Sequence, residues 1–168
     1  ISSQPKLGSD YIIHLMKDRQ NRIWILSWRG LSIYNQTTDS FEILSKDHVF
    51  LFAYQNSDGR VLLCSYSQGG IWEVQEDFSI HRLDRNGEAR FTFLYEDEEK
   101  QMYSCKDLSS LALLSNDSTL VIDTLLQLKG DFKAACADPL NDSIHWFATT
   151  NGLIRLNRFT KSFNVFSR

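Results

Sequence analysis

The sequence predicts an all-β fold made of four repeated, four-stranded antiparallel sheets. Two observations carry that expectation: an internal repeat of about 40 residues, and short apolar runs broken at each step by turn residues. Sliding the sequence against itself by 122 residues lays residues 22 to 44 on residues 144 to 166 without a gap. Seven of 23 positions are then identical, where composition alone gives about one or two. The matches include Trp24 with Trp146, Gly30-Leu31 with Gly152-Leu153, and Phe41 with Phe163. A shift of 122 is three steps of about 41 residues, so two further copies belong between them. Degenerate copies do begin at Gly59 and Lys100, which puts Leu62 and Tyr103 at the Trp24 position and Ile71 and Leu111 at the Leu31 position.

Each copy is preceded by another apolar run, at residues 11–18, 49–56, 91–97 and 132–138, so one unit reads as four strands. In the first copy these are A (11–17), B (22–27), C (31–35) and D (41–44). The runs are rich in Ile, Val, Phe, Tyr and Trp, and Asp, Asn, Gly and Ser separate them, which is strand punctuation. Residues 118–129 could instead make three helical turns, but the β-branched first half favours a strand followed by a loop. Four strands in about 40 residues are the dimensions of a β-propeller blade; a solenoid needs shorter repeats, and a sandwich has no reason to repeat at this period. The chain is therefore read as one partial β-propeller domain over residues 1–168, with blades at 11–47, 48–88, 89–130 and 131–168. Trp24, Tyr34, Tyr103 and Trp146 are expected in the core, where blades stack on one another.

With 168 residues, 42% of them hydrophobic, the chain can bury a real core. Eighteen Lys and Arg against 21 Asp and Glu leave a net charge of -3, which exerts no long-range pull on nucleic acid or anionic lipid. The longest apolar run, Val49 to Tyr54, is strand-sized, so no membrane contact is expected of this segment. Residues 1–10 have neither the basic start nor the apolar stretch of a secretory signal, and the chain is read as an excised piece. Cys64, Cys105 and Cys136 show no Cys-x-x-Cys spacing and are expected as buried thiols, with no metal and no cofactor. His14, His48, His81 and His145 fall in different units without ligand spacing, so no catalytic residue is assigned and the chain is read as non-enzymatic. Ser57-Asp58-Gly59 reads as a hairpin turn, and Glu96-Asp97-Glu98-Glu99 as a solvated turn tip.

The pattern Asp18-x-x-Asn21-x-Ile23-Trp24-Ile25-x-Ser27-x-x-Gly30-Leu31-x-x-Tyr34, followed by Phe41, resembles the two-component regulator propeller repeat. Asn21 stands where that family prefers Gly, and Asn tolerates a left-handed turn residue. Copies one and four match well, whereas copy two has Leu62 for the Trp and copy three keeps little beyond Asp97, Tyr103 and Leu111. The resemblance implies the extracytoplasmic, periplasmic sensor part of a membrane-anchored hybrid histidine kinase, in which propellers of about seven blades receive a signal, often an oligosaccharide. The rest of the same receptor chain is then a partner. Four blades alone would leave open blade faces, so in isolation the chain is expected either to self-associate through the first and fourth blades or to close as a strained small ring. The alternative function is a scaffold or dimerisation module without a ligand of its own, since fold does not supply function.

The repeat motif carries no ligand-binding residue, so candidate positions come from topology. In an up-and-down blade the B–C loops and D–A connections emerge along one edge. That edge holds Trp28, Arg29, Tyr66, Gln68, Lys106 and Asn151, with residues 46–48 and 84–90 beside them. A Trp next to an Arg suits a sugar ring stacked on the indole with an acidic substituent on the guanidinium. The alternative is that Trp28 folds over its own blade and Arg29 is solvated.

Overall fold

The structure, a computed structural model, describes residues 7–46, 48–83, 89–107, 109–114, 122–127 and 131–168, with 122–127 described by their backbone. Among the described residues sixteen strands form four antiparallel sheets, each built in chain order. Sheet 1 holds β1 (Ile12–Lys17), β2 (Ile23–Ser27), β3 (Gly30–Asn35) and β4 (Ser40–Ser45). Sheet 2 holds β5 (Phe50–Gln55), β6 (Val61–Ser65), β7 (Ile71–Val74) and β8 (Ile80–Arg82). Sheet 3 holds β9 (Phe91–Glu96), β10 (Met102–Lys106), β11 (Ser110–Leu114) and β12 (Ile122–Gln127), and sheet 4 holds β13 (Phe132–Asp138), β14 (Asn141–Thr149), β15 (Gly152–Asn157) and β16 (Phe163–Phe166). These are the four expected blades. Trp24, Leu62, Tyr103 and Trp146 lie on the second strand of each sheet, each three residues before the turn into the third strand.

The contest over residues 118–129 is settled for its described part: β12 is a strand, and it runs on to Gln127, through residues read as loop, because β11 offers a pairing partner out to Ser110. The remaining residues of that stretch lie outside the described ones, as do residues 47 and 84–88 of the D–A connections.

Local chemistry explains why the turns fall where they do. The turns after β1, β5 and β9 place Asn21, Gly59 and Lys100 at φ of 62°, 86° and 62°, and each donates its N–H to the carbonyl three residues back, on Asp18, Asn56 and Asp97. Asn21 thus does what Gly does in the family pattern. Gly30 is needed for a different reason. At φ 125° a Cβ there would sit 1.8 Å from the Ser45 carbonyl oxygen, and the equivalent Gly152 would come within 2.3 Å of the Phe166 carbonyl oxygen. The pleat brings β3 and β15 against the last residue of their neighbours, and only a side chain without Cβ fits.

The chain divides into two compact units, residues 1–88 and 89–168, each with two sheets. In the first unit Trp24, Leu26, Leu31 and Ile33 of sheet 1 pack with Phe50, Ala53, Val61 and Leu63 of sheet 2. In the second unit Phe147 of β14 meets Phe93, Tyr95 and Tyr103 from sheet 3 and Phe132 from its own sheet.

Three expectations need correction. Tyr34 and Trp146 are half-buried rather than core. Tyr34 points its hydroxyl at Asp39, and Trp146 lies on the face of sheet 4 opposite Phe147, with Phe166 of its own sheet beside it. Cys136 is exposed, because it shares that face with Trp146, its register partner; Cys64 and Cys105 are buried as expected. The acidic run at 96–99 is not wholly solvated: Asp97 is buried and accepts hydrogen bonds from its own turn.

Candidate functional site: an aromatic rim in the first unit

The expected edge exists in every sheet. The residue after each second strand donates its N–H to the residue just ahead of the first strand: Trp28 to Tyr11, Tyr66 to Val49, Asp107 to Arg90 and Thr150 to Asp131. The start of each first strand is therefore pinned beside the turn between the second and third. Side chains from the two places share one rim within each sheet.

In the first unit this rim is aromatic. Trp28 is 48% exposed, Tyr11 68% and Tyr66 40%. The Trp28 ring stands edge-on to Tyr11 at 6.0 Å and tilted against Tyr66 at 5.6 Å. Trp28 thus bridges sheets 1 and 2 and does not fold over its own blade. A cleft of about 330 Å³ opens against Ser9, Tyr11 and Trp28. The strand leading in is fixed by the Ser9 hydroxyl, which accepts the Tyr11 N–H at 3.1 Å, and by Gly8, whose missing Cβ leaves room against the Arg29 carbonyl. The Arg29 guanidinium is exposed and makes no ion pair among the described residues. Rings held by neighbouring rings, next to a solvated cation, can stack on a flat apolar ligand face and pair with an anionic substituent.

The other candidates distribute unevenly. Gln68 is exposed in the β6–β7 turn; its N–H bonds to the Ser65 hydroxyl and its carbonyl accepts from Arg82, so its side chain stays outward. Lys106, expected in a loop, is the last residue of β10, and Asn151 lies in the β14–β15 turn, both in the second unit. The site that the structure assembles is Tyr11, Trp28, Arg29 and Tyr66. Tyr11 was missed because it was counted as the apolar start of strand A. Only the pinning of strand A beside the following turn reveals it.

A second set of residues gives the repeat its polar skeleton. Asp18 Oδ1 accepts the N–H groups of Gln20 (3.0 Å) and Arg22 (2.8 Å), while Oδ2 accepts Trp24 Nε1 (2.8 Å) and Arg22 Nε (2.5 Å). Burial alone would raise the Asp18 pKa, but the bonds from Trp24 and Arg22 outweigh it and hold the carboxyl below its ordinary value. Asp138 repeats the arrangement, with Trp146 Nε1 on Oδ2 at 2.9 Å. Asp97 does so with the Tyr103 hydroxyl at 3.3 Å, adding Arg158 from the β15–β16 turn at 3.4 Å. In sheet 2 Asn56 takes the place of the acid and Leu62 that of the ring; the Asn56 amide Nδ2 is buried without a hydrogen-bond partner among the described residues. An Asp or Asn six residues ahead of the aromatic position, or eight in sheet 4, was the available signal. These groups are consumed by structure. Among the described residues no cluster of His, Cys, Asp and Glu could hold a metal ion.

Residues 6–29, which end in this rim, match the family model of the two component regulator propeller. That match spans 24 of the 168 residues. No curated protein sequence matches it. Among solved structures it is similar to the extracellular domain of a hybrid two component system of B. thetaiotaomicron, with a TM-score of 0.76 and 17% identity over 96% of this chain and 22% of that one. A second such domain from the same organism gives 0.55 and 11% over 98% of this chain and 31% of that one. Virginiamycin B lyase of Staphylococcus aureus in complex with quinupristin, in a catalytically inactive form, gives 0.74 and 10% over 97% of this chain and 58% of the lyase. The chain thus spans about a fifth to three fifths of the length of these structures, and at such identities they share its fold.

Proposed function

We propose that this chain is a ligand-receiving segment of the extracytoplasmic sensor propeller of a two-component signalling receptor, and that it binds an oligosaccharide at the Tyr11–Trp28–Tyr66 rim without transforming it. The repeat at residues 6–29 and the likeness to extracellular domains of hybrid two component systems support the sensor role and an extracytoplasmic location in a membrane-anchored chain. The observation that carries the ligand is Trp28. A large ring left half in water, flanked by two more aromatic rings beside a cleft, is costly to solvate unless something covers it. Arg29 alongside selects a saccharide bearing an acidic group.

Isothermal titration with tri-galacturonate and a heparin tetrasaccharide as probes tests this. Binding weakened tenfold or more by Trp28→Ala and by Arg29→Ala, worth about 1.4 kcal/mol or more, is the expected result. A second reading, a scaffold module that pairs through an edge strand, is favoured by the exposed Phe163, Val165 and Phe166 of β16, the last strand of sheet 4. No binding together with a concentration-dependent dimer in sedimentation would replace the first reading by the second.

A further inference from the structure

At the opposite edge of the first unit the two sheets leave an open corner. Register puts Glu42 beside Ile33 and Ile33 beside Trp24, and alternation places Arg22 and Asn35 on the same face of sheet 1, turned toward sheet 2. Across from them β7 has four residues and β8 three, against six each in β3 and β4. Sheet 2 is too short there to cover its neighbour. What remains is a cleft of about 410 Å³ lined by Gln20, Arg22, Tyr34, Gln36, Glu42 and Phe78 among others. Through Gln20, Arg22 and Phe78 it continues into a second hollow of about 280 Å³ over Trp24 and Val74.

The fold does not require this opening. In the second unit the corresponding corner, between the β9–β10 and β15–β16 turns, is plugged by Arg158, which is buried and bonds to Asp97 and to Glu99 Oε1 (2.9 Å). In the first unit the arginine comes from sheet 1 instead and lies along the wall of the cleft. Arg22 is held by Asp18 through Nε, and its guanidinium lies 5.3 Å from the Trp24 ring centre and 5.4 Å from that of Phe78. Its two Nη groups make no hydrogen bond among the described residues. Phe78 reaches this position at φ 64°, a left-handed conformation unusual for so large a side chain. Such strain persists where the surroundings hold it.

The chemistry of the lining narrows the ligand. Asp18 already balances the charge of Arg22, and the exposed Glu42 carboxylate has no partner among the described residues, so an anion is disfavoured. Arg22 offers donors and Glu42 acceptors. The amides of Gln20 and Gln36 make only long bonds of 3.4 Å, to Gln55 and to the Asn21 carbonyl, and can exchange them. An uncharged group that both donates and accepts, repeated at short spacing, fits this set: the vicinal hydroxyls of a sugar. The volume suits a ligand of one or two rings. We propose that this cleft is a second binding site, for a neutral saccharide, independent of the aromatic rim.

The 168-residue chain is titrated with cellotriose, maltotriose, xylotriose and mannotriose as neutral probes and tri-galacturonate as the acidic one, by calorimetry and by NMR line broadening. At least one neutral probe should bind with Kd below about 1 mM. Glu42→Ala and Gln36→Ala should each weaken it tenfold or more, with thermal midpoints unchanged, and Trp28→Ala by less than twofold. The proposal is overturned if none of the four neutral probes binds, if Glu42→Ala leaves their affinity intact, or if Trp28→Ala abolishes it. Failure of the acidic probe alone bears on the rim and not on this cleft.

Discussion

At the scale of single residues, three of the four tryptophans separate by what covers them. Trp24 is 1% exposed and its indole N–H is taken by Asp18. Trp24→Ala should therefore cost about 3 to 5 kcal/mol, through a cavity between sheets 1 and 2 and the loss of one of the two hydrogen bonds to Asp18 Oδ2. Trp146 has the same acid partner but lies half-covered, and Trp146→Ala should cost about 1 to 2 kcal/mol. Trp28→Ala at the rim should cost under about 1 kcal/mol. Chemical denaturation of the three variants gives the order, and a large loss at Trp28 would make it a core residue. The sequence pattern alone ranked Trp146 with Trp24, because the two align in the repeat. Burial depends on what lies over a face, and a repeat records only which face a residue is on.

At the scale of the element, the two kinds of turn differ in how much a methyl group would disturb. Gly30→Ala drives a Cβ into the Ser45 backbone, and the strand pair must part to admit it. Gly59 has nothing within 4 Å of its would-be Cβ, so Gly59→Ala meets only the left-handed penalty. The expected losses are about 3 kcal/mol or more and about 1 kcal/mol, read as shifts in denaturation midpoint at constant slope. In the first sheet strand positions were legible in the sequence almost to the residue, because the apolar runs end at polar turn residues such as Asp18 and Asn35. The rim was legible in half. Trp28 and Tyr66 stand out by being large and flanked by polar residues, whereas Tyr11 reads as one more strand residue until the Trp28 N–H is seen to bond its carbonyl. The acid of each turn was visible in the pattern, but its bond to the ring six residues on is a tertiary contact that spacing does not announce.

At the scale of the whole molecule, acid sensitivity is spread over both units. Burial pushes the pKa of His14 and of His145 down; at His14 the bond to the Ala53 carbonyl opposes this, at His145 the charge of Asp97. His145 is fully buried, with Nδ1 on the Tyr95 hydroxyl at 3.0 Å. Below the unfolded value of 6.5 the unfolded chain takes up a proton that the folded chain refuses, so stability falls with pH, by at most about 1.4 kcal/mol per unit for each histidine. Asp18 and Glu73, both held below the ordinary carboxylate range, add a second loss at more acidic pH. Thermal midpoints should drop between pH 7 and pH 5, ahead of the main loss from Asp18 and Glu73, and His145→Gln should flatten that slope. An unchanged slope would place the sensitivity elsewhere. One further consequence lies in sheet 2, where Asn56 and Leu62 replace the acid and its ring. With the indole gone, a carboxylate at 56 would be a buried charge short of a donor, so the neutral amide and the aliphatic chain are a single compensated change. The cost shows in the Asn56 Nδ2, buried with no hydrogen-bond partner among the described residues, where the other three sheets set a carboxylate against a ring.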